Sequence, residues 1–326
     1  MMVIGVDVSK GKLDCAWVRD PQRGKVKTRV FGNRPAEFQA LLAWACKQTG
    51  EPVEALHFVL EATGVYHEAL AYALFEAGAR VSVVNPAQVH HFAQSEGARS
   101  KTDRRDSVVL ARYGIAHQLR PWRPEPPEVR TLKALIGRLI ALEKDIQRER
   151  NRLEKADVLG LEGPVHTSIE TMLTQLTAEH KRLRKEIDKH IRRHPQLQED
   201  RDLLTSIPGI GEVMSRMMVA LLRSRDFASA KAVGAYAGLA PMHHQSGTKE
   251  KRSTISKAGN SLLRSRLYMA TVSATRHNPI IRALYQRLLA RRKPKRVALV
   301  ACMRKLLHLC FGVFKHRTEF QAMPTS

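Results

Sequence analysis

Strand-like segments are confined to the first 85 of the 326 residues, and this confinement restricts the folds open to the chain. The opening MVIGVDVSKGKLDCAWV alternates apolar and polar residues around a turn at Lys10 to Lys12, which predicts two strands. Beyond Pro86 the apolar spacing is helical, and no convincing strand is predicted. Further strands are predicted over Lys25 to Phe31, Ala55 to Ala62 and Ala79 to Asn85, with helices over Ala36 to Cys46 and Tyr66 to Ala77.

The order of these elements, βββαβαβ followed by helices, is that of the ribonuclease H fold, an α/β sheet with helices on its faces. Three consecutive strands predict an antiparallel start to the sheet. A chain of this length favours two domains, because single hydrophobic cores stop growing near roughly 250 to 300 residues. We therefore expect an α/β N-terminal domain followed by a mainly α-helical part.

A proline-rich segment, PWRPEPPEV from Pro121 to Val129, marks the predicted end of the first domain, because a helix does not continue easily through it. In the two long, charged segments that follow, Val129 to Ala156 and Ile169 to His194, apolar residues recur at helical spacing. They predict an antiparallel helical arm, and self-association, nucleic-acid binding and spacing of domains all remain open as its role. The predicted domains are residues 1–122, the arm at 123–200 and a second globular domain at 201–326.

The net charge of +24 is distributed unevenly along the chain. Residues 1 to 95 carry 10 Lys and Arg against 9 Asp and Glu, whereas the segment from Lys249 onward carries 18 against 2. Such an asymmetry is typical of proteins that bind the phosphate backbone of nucleic acids. We therefore expect the later part of the chain to contact nucleic acid.

The remaining composition predicts a cytoplasmic protein. The four cysteines form no CxxC pair, which argues against a zinc site or a disulfide framework. The N-terminus lacks the pattern of a signal peptide, and no apolar stretch is expected to reach the roughly 20 residues of a membrane span. We expect no membrane partner and an association with the nucleoid when the protein is active.

Four carboxylates are candidates for a shared metal site. Asp7 lies on the first predicted strand, and Glu61 ends a later buried strand, where an acid is costly without a partner. Asp103 and Asp106 are three residues apart at the start of a predicted helix, so their side chains share a face. Taken singly, the last two are also typical of an exposed first helical turn.

Together, the two strands and the helix can bring these four carboxylates to one point, where their mutual repulsion requires cations. Mg²⁺ suits such an all-oxygen site, with Mn²⁺ as an alternative. Two ions there could hold the attacking and leaving oxygens of a phosphodiester. The carboxylates therefore predict metal-dependent chemistry on nucleic acid.

The second half of the chain holds further candidates for phosphate binding. Pro208-Gly209-Ile210-Gly211 joins two apolar helical runs and looks like a helix-hairpin-helix, whose glycines let backbone N–H groups approach a phosphate. A plain packing corner fits the same pattern. Other candidate contacts are Lys249, Lys251, Arg252 and Lys257, then Asn260, Arg264 and Arg266 at the start of the next helix, and Arg291, Arg292 and Lys293 in a basic turn.

Ser246 precedes Gly247 in a segment predicted to be an extended polar loop. Reactive groups often lie on such loops, and the glycine leaves room for a phosphate. A Ser-Gly pair is more often an ordinary turn, so the pair alone does not identify a nucleophile. His243 and His244 are candidate general bases for it.

The motifs IGVDVSK, LEATGVY, NPAQVHHFAQSEGARSKTDRRD, SIPGIG, AGLAP, QSG and ISKAGNSLLR occur in this order. Together they resemble the DEDD insertion-sequence transposases of the family one-ten group, over nearly the whole chain. Only the helical arm lacks a sharp motif. Ser107 is a departure, since alanine is expected after the last acid of the family's quartet.

The resemblance implies a RuvC-like N-terminal domain, a coiled-coil arm and a transposase domain. It maps the family's acidic quartet onto Asp7, Glu61, Asp103 and Asp106, and its serine nucleophile onto Ser246. By the same analogy, the serine attacks a DNA phosphodiester to give a 5′-phosphoserine, with Mg²⁺ at the carboxylates, and strands are exchanged between element and target. The implied partners are DNA, a bridge RNA that guides recognition, and other copies of the chain in a tetramer of two dimers, in which one subunit's carboxylates complete another's serine site.

Two other functions compete with this interpretation. In a RuvC-like hydrolytic nuclease or junction resolvase, the metals would activate water and Ser246 would be an ordinary loop residue. In a non-catalytic nucleic-acid-binding protein, the carboxylates would be dispensable. Neither explains why an acidic quartet and a Ser-Gly segment occur together in this order.

Overall fold

A computed structural model describes residues 2–20, 23–62, 64–96, 103–246, 249–256 and 259–322. For residues 103, 104, 243–246 and 249–253 it describes the backbone alone. The chain divides into two compact units, residues 1–124 and 125–326. The predicted division into three domains stays a prediction.

The first unit contains the predicted βββαβαβ order. A five-stranded sheet has the order β3-β2-β1-β4-β5, in which β1 pairs antiparallel with β2 and parallel with β4. The three-stranded antiparallel start is thereby confirmed. The strands are β1 (Met2–Val8), β2 (Lys12–Asp20), β3 (Lys25–Gly32), β4 (Leu56–Glu61) and β5 (Arg80–Val84), and the helices are α1 (Pro35–Thr49), a 3₁₀ turn (Val53–Ala55), α2 (Glu68–Glu76), α3 (Pro86–Ser95) and α4 (Asp103–Ala116).

The two faces of this sheet pack differently. One face carries the larger apolar cluster, in which buried strand residues such as Ile4, Leu13 and Phe58 meet Leu41 of α1 and Leu70 of α2. On the other face α4 lies close to β1 and β4, because glycines remove the side chains between them. A Cβ at Gly5 would lie 2.1 Å from the Ser107 carbonyl oxygen, and one at Gly114 would lie 2.6 Å from a methyl carbon of Val59.

The second unit is mainly helical, as predicted. Its two longest helices, α5 and α6, run antiparallel, since His190 contacts the carbonyl of Glu128 and His166 contacts Asp157. One apolar cluster joins the first half of α5 and the last part of α6 to the helices that follow. The helices are α5 (Pro127–Val158), α6 (Pro164–Arg193), α7 (Pro195–Thr205), α8 (Glu212–Ser224), α9 (Ala230–Tyr236), α10 (Ser261–His277), α11 (Pro279–Ala290) and α12 (Lys295–His316).

The prediction that no strand follows Pro86 is wrong. β6 (Pro241–Ser246) and β7 (Lys249–Ile255) form a two-stranded antiparallel sheet. Their sequences, PMHHQS and KEKRSTI, are almost entirely polar. A strand without an apolar face shows no alternation of apolar and polar residues, which is the signal used to predict strands.

By length and composition, one helix among the described residues, α12, could cross a membrane. This corrects the expectation that no apolar stretch is long enough. Cys302, Leu306 and Cys310 of α12 are nevertheless fully buried in the apolar cluster of the second unit. One face of α12 therefore belongs to that core.

Candidate active site

Asp7 and Glu61 lie level with each other on neighbouring parallel strands. The register pairs Val6 with Leu60, so the next residue of each strand brings the two acids side by side. Asp7 is two residues beyond Gly5, which faces α4, and side chains two apart on a strand share a face. Both carboxylates are half-buried on the α4 face, at the carboxyl ends of their strands.

The first turn of α4 lies at this same edge of the sheet. Gly114 packs beside Val3, whereas Ser107 and Ala111 lie against Gly5, so α4 runs antiparallel to β1. Asp103 lies four helical residues before Ser107, and Asp7 lies two strand residues after Gly5. Each of these steps spans roughly 6 Å along its element. The backbone of Asp103 therefore lies near the level of Asp7.

Asp106 is half-buried on the same first turn, and the side chain of Asp103 lies outside the described residues. The four predicted carboxylate positions are thus delivered to one edge by two strands and one helix. In the described part of the chain, no group of three His, Cys, Asp or Glu side chains is close enough to hold a metal ion. The donor chemistry, oxygen alone, is that preferred by Mg²⁺.

Asp14 is a fifth acid at this edge that the motif analysis missed. The antiparallel register places it directly opposite Asp7, and it is buried with 8% of its surface exposed. The Lys12 ammonium lies 3.1 Å from its carboxylate. The predicted turn at Lys10 to Lys12 would pair residue 7 with residue 15, so only the observed register, in which Val8 pairs with Leu13, brings Asp14 opposite Asp7.

An open cleft of about 330 Å³ borders Asp14 on the α4 face of the sheet. Ser107, the departure from the family pattern, is 1% exposed at its inner wall. The Asp14 carboxylate also acts on its neighbour, because burial first and this negative charge second raise the pKa of the Cys15 thiol. The cleft is lined by Asp14, Cys15, Thr28, Arg29, Val30 and Ser107.

Asn33 ties together the loops at the carboxylate edge. Its side-chain amide donates to the carbonyl of Ser9, after β1, at 2.8 Å, and to that of Tyr66, after β4, at 3.0 Å. Ser9 in turn accepts from the backbone N–H of Lys12 at 3.2 Å. One side chain therefore connects the segments that follow Asp7 and Glu61, and no sequence motif indicated it.

Ser246 is the last residue of β6 and is paired in register with Lys249 of β7. The predicted extended loop is therefore a hairpin whose connecting residues, 247 and 248, lie outside the described residues. The side chains of Ser246 and of the candidate bases His243 and His244 are also outside the description.

His57, on β4, is buried and forms a hydrogen bond with the Ser82 hydroxyl at 2.9 Å. Burial, and to a smaller extent the positive charge of Arg80, lower the pKa of His57 to about 4.

The two glycines of the Pro-Gly-Ile-Gly corner differ in their surroundings. Gly209 has a positive φ of 99°, and a Cβ there would lie 2.6 Å from that of Ala274 in α10. Gly211, which precedes α8, has open space where a Cβ would stand. Packing accounts for Gly209, and phosphate binding stays a prediction best suited to Gly211.

Three predicted contacts around α10 have structural partners. Asn260 caps the helix by accepting from the Leu263 N–H at 2.9 Å. Arg264 donates to the carbonyl of Ala237 at 3.0 Å, and Arg266 pairs with Glu143 of α5. These bonds hold α10 in place, and a role in nucleic-acid binding stays a prediction for them.

The other predicted basic contacts lie on β7 and in the turn between α11 and α12. Arg291, Arg292 and Lys293 are exposed in that turn. Within the described residues, no carboxylate lies within ion-pair distance of these three cations. Lys249, Lys251 and Arg252 are described by backbone alone, and Lys257 lies outside the described residues.

In sequence, the chain resembles known transposases and gene-inverting proteins. Residues 4–158 match a family model for DEDD transposases of the IS110 type, and residues 201–286 match one described as transposase IS116/IS110/IS902 family. The chain is 32% identical to the pilin gene-inverting protein of Moraxella bovis and 31% identical to that of Moraxella lacunata, each over 97% of both chains. A RuvC of Thermus thermophilus in complex with a Holliday junction is similar over 37% of this chain and 100% of its own, with 15% identity and a TM-score of 0.29.

The α/β sheet with its edge of carboxylates and the two matched regions define a DNA transposase, an enzyme that cleaves and rejoins DNA strands. The chain belongs to the IS110-type transposase family. The predicted family membership and enzyme class are thereby confirmed.

Proposed function

We propose that the chain catalyses RNA-guided exchange of DNA strands between an insertion element and its target, with Ser246 as the nucleophile. The observation that carries the proposal is the alignment of Asp7 with Glu61 beside the first turn of α4, which bears Asp103 and Asp106. A RuvC-like character for the first unit belongs to the same proposal. The order of its elements supports it.

In the proposed reaction, Ser246 Oγ attacks a DNA phosphorus atom and a P–O bond forms. The bond from phosphorus to the 3′ oxygen breaks, and that oxygen leaves as a 3′-hydroxyl after taking a proton. The serine's own proton passes to a general base, for which His243 and His244 on the same strand are candidates. The 5′-phosphoserine is resolved when the 3′-hydroxyl of another strand gives its proton to a base and attacks the phosphorus. The bond from phosphorus to Ser246 Oγ then breaks, and the serine leaves after taking a proton.

Asp7, Glu61, Asp103 and Asp106 would hold Mg²⁺, or Mn²⁺ in its place. The ion would supply positive charge at the reacting phosphate, where charge develops in the transition state. Asp14 would add to the negative potential of the edge, and its ion pair with Lys12 limits that addition. The carboxylates' own part is to fix the position of the ion on rigid strands and one helix.

A guide RNA and other copies of the chain are the proposed partners besides DNA. In such a division of recognition, base pairing reads sequence and the protein reads backbone and shape. The 18 cations from Lys249 onward, against 2 acids, provide charge for more than one nucleic acid. We place the reaction in the bacterial cytoplasm at the nucleoid, in a tetramer of two dimers.

The proposal is tested with labelled DNA, purified protein, its co-expressed RNA and Mg²⁺ on denaturing gels. Wild type should form a protease-sensitive shifted band, whereas Ser246→Ala should form none while retaining RNA binding. Ser253→Ala, which removes a serine from the partner strand β7, is the matched control and should form the band. Asp7→Asn should lose Mg²⁺-dependent cleavage with its fold intact.

Cleaved DNA that carries a free 5′-phosphate and no adduct would contradict the serine mechanism and favour metal-dependent hydrolysis. Normal recombination by Asp7→Asn would contradict the assignment of the metal site.

A further inference from the structure

The cations of the first unit are concentrated in one part of it. Residues 10–34, which include the hairpin of β2 and β3, carry eight Lys and Arg against two acids. Residues 35–95 carry two Lys and Arg against six acids. The near-neutral charge of the N-terminal segment is therefore the sum of a basic hairpin and an acidic remainder.

Three of these cations form a row on β3, the strand at the edge of the five-stranded sheet. Lys25, Lys27 and Arg29 are two residues apart, so their side chains share a face, and all three are exposed. Residues two apart on a strand are separated by roughly 7 Å, so the row extends over roughly 13 Å. We call these three residues the β3 stripe.

No ion pair neutralises the β3 stripe. The two acids of the hairpin are paired with other cations, Asp14 with Lys12 at 3.1 Å and Asp20 with Arg23 at 3.8 Å. Asp20 is opposite Lys25 in the strand register, yet among the described residues no carboxylate lies within ion-pair distance of any cation of the stripe. The stripe is therefore a surface of exposed positive charge that an anionic ligand would neutralise.

The β3 stripe begins beside the carboxylate edge. Arg29 borders the same cleft as Asp14, and Asp14 is opposite Asp7 in the register. Two strand spacings, together roughly 10 Å, separate β3 from β1. The stripe leads away from this point toward Lys25, near the far end of the strand.

We propose that the β3 stripe binds the phosphate backbone of the duplex DNA that flanks the site of cleavage. The Arg29 guanidinium lies 5.1 Å from the centre of the Phe31 ring, on the face of the sheet away from α4. Because β3 is the last strand, DNA that leaves the carboxylates across the edge of the sheet meets this face. One DNA strand carries a phosphate every roughly 3.4 Å of its axis, so each cation of the stripe can contact a phosphate of its own.

Such contacts read the backbone and carry no base sequence, so they position the DNA without specifying it. The inference rests on the proposed place of cleavage at the carboxylates and is independent of Ser246. Lysines on an edge strand have another ordinary use, which is to hinder pairing with strands of other molecules. The test therefore separates DNA binding from protection of the edge.

Fluorescence anisotropy of the full-length protein with labelled duplex DNA, without Mg²⁺, measures binding in the absence of cleavage. We expect the double variant Lys27→Gln, Arg29→Gln to raise the dissociation constant by about tenfold and to lower the log–log salt slope by about 0.9 for each phosphate released. Its thermal unfolding should stay near that of wild type, because both side chains are exposed. A photocrosslinking p-benzoylphenylalanine in place of Lys27 should attach to DNA about three to seven base pairs from the site of cleavage, since each base pair spans roughly 3.4 Å.

The matched control is the double variant Arg34→Gln, Lys47→Gln, which removes the same charge from the same unit. Arg34 is paired with Glu37 at 2.9 Å, and Lys47 lies in the last turn of α1, outside the hairpin. Its affinity and salt slope should stay near those of wild type. Ser246→Ala should also bind DNA as wild type does, so a failure of the serine mechanism leaves this test unaffected.

Three results would overturn the proposal. The first is a stripe variant that binds DNA as tightly as wild type. The second is unchanged DNA affinity together with new self-association in sedimentation velocity, which would assign the stripe to protection of the edge. The third is a loss of affinity confined to the co-expressed RNA, which would assign the stripe to the RNA.

Discussion

Gly5 shows how one residue positions the candidate active site. Its Cα faces the backbone of α4, and a Cβ would lie 2.1 Å from the Ser107 carbonyl oxygen and 2.4 Å from the Ala111 nitrogen. Neither atom belongs to a flexible side chain, so any larger residue must move the helix itself. The helix carries Asp103 and Asp106, and its distance from β1 sets their distance from Asp7.

We expect Gly5→Ala to lower the free energy of unfolding by about 3 kcal/mol, the upper part of the range for overpacking a core. DNA cleavage should fall further than the fraction of unfolded protein explains, because α4 moves away from Asp7. Urea unfolding and a cleavage assay on the same preparation measure the two effects. Gly11→Ala is the control: no atom lies within 4 Å of its Cβ position, and both properties should stay as in wild type.

Asp200 connects three helices of the second unit. It is fully buried on α7 and accepts from Arg223, at the end of α8, with its nearer contact at 2.5 Å. It also pairs with Arg317, which follows α12 in a left-handed backbone conformation with φ of 55°. The end of the long apolar helix α12 is held to α7 through Asp200 and through Glu199, whose carboxylate lies 2.7 Å from the Arg317 guanidinium.

We expect Asp200→Asn to destabilise the protein by about 3 kcal/mol, because Arg223 loses the charge that compensates it and Arg317 keeps only its pair with the exposed Glu199. The partial exposure of Arg223 and Arg317, 26% and 35%, places the effect at the lower end for a broken buried ion pair. Asp202→Asn makes the same change on the same helix at a side chain that is 59% exposed. Thermal unfolding should show a large shift for the first variant and little for the second, and equal shifts would contradict the role given to Asp200.

The chain as a whole combines a nearly neutral N-terminal segment with a strongly basic remainder. Some of its cations are already paired with local acids, as Arg148 is with Asp145 at 2.9 Å. Those in the turn between α11 and α12 have no such partner among the described residues. Only unpaired cations release counterions in full when they meet phosphate, so the two groups should differ in their contribution to DNA binding.

We expect duplex DNA affinity to fall steeply with salt, and the triple variant Arg291→Gln, Arg292→Gln, Lys293→Gln to reduce the log–log slope by about 0.9 for each phosphate that is no longer neutralised. The matched triple Arg148→Gln, Arg152→Gln, Arg182→Gln removes the same charge from cations that hold Asp145, Glu149 and Glu179. Its slope should stay near that of wild type. Fluorescence anisotropy over a range of NaCl concentrations measures both, and equal slopes for the two triples would contradict the assignment of the basic turn.

Much of this protein could be predicted from local sequence. The βββαβαβ order, the antiparallel start of the sheet and the long helices could be predicted from apolar periodicity. The reason is that the spacing of apolar residues within each element reflects which of its side chains are buried. The order of several short motifs along the chain indicated the family, and the two matched regions confirm it. The hairpin of β6 and β7 was missed because its residues are polar and its pairing depends on the two strands meeting.

The sequence by itself determined which residues are chemically able to act: the acids at 7, 61, 103 and 106, the serine at 246 and the excess of cations. Only the tertiary structure decided which of them are neighbours. Register placed Asp7 beside Glu61 and opposite Asp14, close packing at Gly5 brought α4 to their edge, and the packing of α10 against Gly209 accounted for a glycine that sequence had assigned to phosphate. The physical reason is that periodicity reports whether a side chain is buried, whereas contacts between distant segments depend on register and on the space left between packed backbones.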